Sequence, residues 1–156
     1  METIKYIILT GAVLLFGFFC ANAQKPVHGV IITGQNNHNW PVSHQALKKT
    51  LENSGLFSLD VAVSPKHGED MSNFTVDFSK YKLVVLDYNG DSWSAIMNAA
   101  FMDYVRGGGG VVVYHAADNA FTDWKDYNEM IALGGWGGEK SDIGSLFLLE
   151  RRSLTA

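Results

Sequence analysis

Polar side chains collect where apolar runs stop. Gln35 to Trp40 (QNNHNW) follows Val30 to Thr33, Asp87 to Asp91 (DYNGD) follows Leu83 to Leu86, and His115 to Asn119 (HAADN) follows Val111 to Tyr114. Histidine titrates near neutral pH and serves as acid, base or metal ligand. A neighbouring carboxylate orients the ring and supports proton transfer. Amides and carboxylates hold hydroxyl groups in pairs, and an indole face covers the apolar face of a pyranose. His38, Asn39, Trp40, Asp87, Asn89, Asp91, Trp93, His115, Asp118 and Asn119 therefore fit one cleft with sugar-binding and acid–base capacity. His115, His38 and Asp87 are the candidate catalytic groups. Asn39, Trp40, Asn89, Trp93, Asp118 and Asn119 are the candidate substrate-binding groups.

Each residue has a plainer alternative. Asp87 can cap a turn, and Trp40 and Trp93 can be core. His38 and His115 with an aspartate suit zinc or a similar ion, but no short-range ligand spacing marks a metal site, and no cofactor is specified. His28, His44 and His67 lack such a context and are assigned to surface or packing.

For these clusters to meet, the elements must run in parallel. Val27 to Thr33 reads as a buried strand with a β-branched run, closed by Gly34. Pro41 opens a helix, Ser43 is a candidate cap, and the helix runs to about Asn53 before Ser54-Gly55 stops it. Phe57 to Val63 alternates and reads as a second strand. Ser64 to Phe78 is a loop, and Lys82 to Leu86 a third strand. Trp93 to Arg106 is helical, with Ala95, Ile96, Ala99, Phe101, Met102 and Val105 on one face. Gly107 to Gly110 ends that helix, Val111 to Tyr114 is a short buried strand, and Trp124 to Leu133 is a last helix. The glycine run precedes a strand and is no phosphate loop. Strands alternating with helices give an α/β three-layer sandwich on a parallel sheet. All three polar clusters then lie on the rim formed by the carboxyl ends of the strands, where such sheets bind ligands.

The first 23 residues read as a cleavable signal peptide. Lys5 is the positive start, Tyr6 to Cys20 the apolar run, and Ala21-Asn22-Ala23 the cleavage site. An uncleaved anchor and a lipoprotein at Cys20 are the alternatives. Cleavage after Ala23 implies a periplasmic or secreted protein with no membrane attachment. It also removes the single cysteine. Glu2 and Lys5 leave together, so the formal charge stays at −4, which excludes the basic face of a general nucleic-acid binder. Residues 24–138 form one α/β domain. Residues 139–156 (EKSDIGSLFLLERRSLTA) carry no polar strand end and read as a divergent tail, leaving the sheet incomplete at its C-terminus with an open edge.

At the quoted residues the chain resembles the ThuA-like (trehalose utilisation) domain family. The matching pieces are ITGQNNHNW at 32–40, VVLDYNG at 84–90, and GGGGVVVYHAADNAF at 107–121, followed by Tyr127 and GGWGG at 134–138. The resemblance implies a flavodoxin-like sandwich similar to class I glutamine amidotransferases, and a role in carbohydrate metabolism. Glutaminase chemistry is not implied, because those enzymes carry a Gly-x-Cys-x-Gly elbow where this chain has Val-Val-Tyr-His-Ala-Ala. Family members are longer, and the likeness stops near Glu139, as in a fragment of a truncated gene. The expected partner is a small carbohydrate, either modified or only bound. A non-functional remnant is the remaining alternative, and the oligomeric state is left open.

Overall fold

A computed structural model describes residues 25–132. Residues 1–23, where the sequence is expected to be a signal peptide, the GGWGG segment and the expected divergent tail at 139–156 lie outside the described residues. Within them the order of elements is that expected from the sequence. Strand β1 is Val27–Thr33, helix α1 is Trp40–Asn53, and β2 is Phe57–Val63. A 3-10 turn at Phe78–Lys80 leads into β3, Leu83–Leu86. Helix α2 is Ala95–Arg106, β4 is Gly110–Val113, a second 3-10 turn is His115–Asn119, and helix α3 is Lys125–Ile131.

The four strands pair in parallel in the order β2-β1-β3-β4. The chain moves outward one way from β1 to β2 and the other way from β3 to β4. The topological switch point thus falls between β1 and β3, the place where doubly wound sheets bind ligands. Alternation sends the strand side chains to two cores. Ile31, Leu59 and Val85 pack under Leu47 and Leu51 of α1. Val30, Ile32, Val84 and Leu86 face the other way, into a larger cluster with Met97 and Phe101 of α2 and Tyr127 of α3. Helices therefore cover both faces, as a three-layer sandwich requires.

Several local expectations are corrected. Ser43 is not a cap. It lies inside α1, and Asn39 is the cap residue, without a side-chain cap hydrogen bond. On α2 the buried residues are Met97, Phe101 and Met102, while Ile96 is 78% exposed. The Ser94 hydroxyl accepts from the Met97 amide and sets this helical phase. Trp93 therefore precedes the helix. Strand β4 ends at Val113 and is not fully buried: Val112 is 47% exposed, and Tyr114, just beyond the strand, is 40% exposed. Val112 pairs with Val85 and shares its face, but α1 packs chiefly over β2 and β1, at the other side of the sheet from β4. Among the described residues no helix is long and apolar enough to cross a membrane.

Candidate functional site

The rim is assembled by hydrogen bonds between loops distant in sequence. Gln35 is 5% exposed at the end of β1. Its Nε2 donates to the Pro65 carbonyl at 2.9 Å, its Oε1 accepts from the Asp91 amide at 2.7 Å, and its carbonyl accepts from the Asn89 amide at 2.9 Å. One side chain thus ties together the loops after β1, β2 and β3. Gly90 is required for this, since a Cβ there would come within 2.2 Å of Gln35 Oε1. Asp91 secures the same junction. Its carboxylate accepts from the Gly68 amide at 2.6 Å and pairs with His67 Nδ1 at 2.8 Å. Asp91 is therefore engaged in holding loops.

Asp87 follows Leu86 and turns to the α1 face. It is 1% exposed, and a buried carboxylate needs partners. Asn36 Nδ2 donates to Oδ1 at 2.9 Å and Ser43 Oγ donates to Oδ2 at 2.5 Å. Burial pushes the Asp87 carboxyl above its ordinary value. The Ser43 bond, the field of His44, the Asn36 bond and the field of His38 oppose that rise. Asn36 also reaches outward, its Oδ1 accepting from the His38 amide at 3.0 Å. The buried carboxylate is thereby coupled to the loop that carries His38.

His38 and His115 come together. Their ring centroids are 4.6 Å apart with an interplanar angle of 34°, and both residues are exposed. His115 starts the 3-10 turn with φ 47°, in the left-handed region that non-glycine residues seldom occupy. A strained residue at a strand end is a recurring device for lifting one side chain onto a catalytic rim. Two adjacent imidazoles can exchange acid and base roles between them. His44, in the second turn of α1, has its Nδ1 2.6 Å from the Trp40 carbonyl and its ring 5.8 Å from the Trp40 ring. Among the described residues no group of three His, Cys, Asp or Glu is arranged to hold a metal ion.

The other candidates part company. Asn39 is exposed at the start of α1, and Trp40 is half-buried in its first turn. Trp93 is 4% exposed and packs on Phe121, Tyr88 and Phe101, with ring centroids 4.7, 5.7 and 5.7 Å away. Its ring is core. Asp118 is half-buried in the turn that His115 begins. Asn89 and Asn119 line a separate cleft of about 370 Å³, with Asn98 of α2 and Thr122, Asp123 and Trp124 beyond the turn. The sequence marks Ser43 only as a candidate cap and Asn36 only as part of the QNNHNW cluster, and it does not mark Asn98. As site residues, Ser43 and Asn98 were legible only as polar residues on the inward side of amphipathic helices.

A parallel α/β sandwich of the flavodoxin-like strand order, with its polar rim at the switch point, defines the structural class. The family model for ThuA, described as trehalose utilisation, matches residues 30–146, and the chain belongs to that family. The crystal structure of a ThuA-like protein from Parabacteroides merdae ATCC 43184 superposes with a TM-score of 0.71 at 61% sequence identity. The match covers 73% of this chain and 41% of that one, so this chain spans less than half of the solved relative. Comparison with curated proteins finds no match.

Proposed function

We propose that this ThuA-family chain is exported and acts on a sugar, trehalose or a related disaccharide, at the His38–His115 pair. One observation carries the reading: two exposed imidazoles 4.6 Å apart on the rim of a parallel sheet, one after β1 and one after β4. Asp87, buried nearby and fixed by Asn36 and Ser43, is the positioning carboxylate. It holds the loop bearing His38 through Asn36. One histidine takes a proton from an attacking water while the other supplies one to the departing glycosidic oxygen, so that a new C–O bond forms as the old one breaks. Trp40, half-buried in the first turn of α1, is the aromatic residue this reading assigns to a sugar ring face. The family's description as trehalose utilisation supports the substrate class. The leader at 1–23 and the charge of −4 support an exported protein with a neutral small-molecule partner rather than nucleic acid.

The test is turnover of trehalose, other disaccharides and their oxidised forms by this chain and by His115→Ala, followed by product chromatography. Loss of general acid–base help lowers turnover by about 10²- to 10⁴-fold. Equal binding and turnover in both proteins would remove His115 from the mechanism. Saturable binding by both with no product in either would leave a carbohydrate-binding protein.

A further inference from the structure

The cleft on the α2–α3 side of the rim has a chemistry of its own. Its polar lining comes from three asparagines, Asn89, Asn98 and Asn119, with the hydroxyl residues Ser92 and Thr122 and a single carboxylate, Asp123. No lysine, arginine or histidine among the described residues lines it. Trp124, half-buried, supplies an aromatic surface. Its volume of about 370 Å³ falls within the range of small-molecule sites, roughly 300–1,000 Å³.

Asn98 is the telling residue. It sits on α2 beside Met97, in a helix whose buried residues are Met97, Phe101 and Met102. Its Oδ1 is buried and has no hydrogen-bond partner among the described residues. Buried polar atoms are nearly always paired, so this amide is not explained by the fold. Rotation about its last torsion exchanges the carbonyl and the NH2, so it can offer the cleft either an acceptor or a donor.

We propose that this cleft is a second subsite, separate from the histidine pair, for a neutral polyhydroxylated ring. The amides of Asn89, Asn98 and Asn119 pair with vicinal hydroxyls, and Trp124 meets the apolar ring face. The lone Asp123 and the absence of cations from the lining disfavour phosphorylated or carboxylated sugars. The inference rests on the sugar reading above for the ligand class alone. Its location is independent, since none of the residues lining the cleft belongs to the histidine pair or its carboxylate.

The experiment is a titration of the ¹⁵N-labelled full chain with D-glucose and with trehalose, read residue by residue in amide spectra. The expected result is movement of the side-chain NH2 signals of Asn89, Asn98 and Asn119 and of the Trp124 indole. Asn98→Ala with Asn119→Ala weakens binding about tenfold. Glucose 6-phosphate binds at least about tenfold more weakly than glucose, as expected for an uncompensated anion. Asn119 is exposed, so Asn119→Ala alone keeps the test valid should the double variant unfold. Signals moving only at His38, His115 and their neighbours would overturn the subsite and leave the catalytic reading standing. Movement confined to the cleft, with turnover unchanged in His115→Ala, would do the reverse. Binding unaffected by the asparagine variants, equal affinity for the phosphate ester, or no movement anywhere would each overturn it.

Discussion

The two sides of the rim are built by different means. On the α1 side, polar bonds do the positioning. Asn36 and Ser43 hold Asp87, and Asn36 also holds the His38 amide. On the α2–α3 side, aromatic packing does it. Phe121 lies 4.7 Å from Trp93, 5.4 Å from Trp124 and 5.0 Å from Tyr127, and the Tyr127 hydroxyl donates to the Ala117 carbonyl at 2.8 Å. The turn at His115–Asn119 spans both, presenting His115 to one and Asn119 to the other. The difference separates charge from shape. The titratable groups sit over a network that can reorganise with proton loss. The amide cleft is framed by an apolar cluster that cannot.

The largest expected effect breaks the aromatic side. Phe101 is fully buried, 5.4 Å from Phe78 and 5.7 Å from Trp93 between ring centroids. Phe101→Ala should lower stability by about 3–5 kcal/mol, measured by urea unfolding. A loss below about 1 kcal/mol would mean the apolar cluster does not frame the cleft.

Next comes the polar side. Asp87→Ala leaves the Asn36 and Ser43 donors facing an apolar methyl and should cost about 1–3 kcal/mol. Asp87→Asn should cost far less. The new amide can aim its oxygen at Asn36 while its NH2 faces the Ser43 hydroxyl, which turns to accept. If both variants lose the same stability, the network is not what holds this side together.

Asp87→Asn also sharpens the comparison through pH. Burial raises the Asp87 carboxyl in the folded chain, so the native state keeps its proton to higher pH than the unfolded chain does. Between the two values the native state binds more protons. This group's contribution to stability therefore falls as pH rises through the folded value and returns as pH drops toward the unfolded one, about 3.9. Relative to Asp87→Asn, the parent chain should gain stability as a series of melts moves from pH 7 toward pH 4. Exposed Asp70 and Asp77, held down by bonds from Ser72 and Ser79, run the other way but are common to both proteins and cancel. A flat difference would show that Asp87 is solvated.

The outlines of both sides could be read before the structure was known, but not their division. Strands Val27–Thr33 and Phe57–Val63 emerge with the expected bounds, because β-branched runs ended by Gly34 and Ser64-Pro65 leave little freedom of register. Helix α2 was harder. Ala95, Ile96, Met97, Ala99, Phe101 and Met102 populate two adjacent stripes, and only the Ser94 cap selects the one holding Met97 over Ile96. Trp93 is core for the same reason: the chain enters the helix two residues later than its apolar run suggests. The meeting of His38 with His115 followed from parallel strand ends alone. The engagement of Asp91 by His67 and Gly68, and of Asp87 by Ser43, did not, since these bonds join segments 23 to 44 residues apart and depend on loop paths that no periodicity encodes.

The smallest effect is the most discriminating. His115 holds φ 47°, a conformation glycine adopts at no steric cost. His115→Gly relieves that strain but adds backbone entropy to the unfolded chain, so stability should change by no more than about 1 kcal/mol, with a gain if strain dominates. His115→Ala keeps the left-handed backbone and removes only the ring. If the strain serves to lift an imidazole toward His38, both variants lose disaccharide turnover alike, while glycine is the more stable of the two in thermal melts. Should glycine instead be the less stable, with turnover intact, the turn would be a structural hinge between the two sides. The ring contact with His38 would then be packing rather than chemistry.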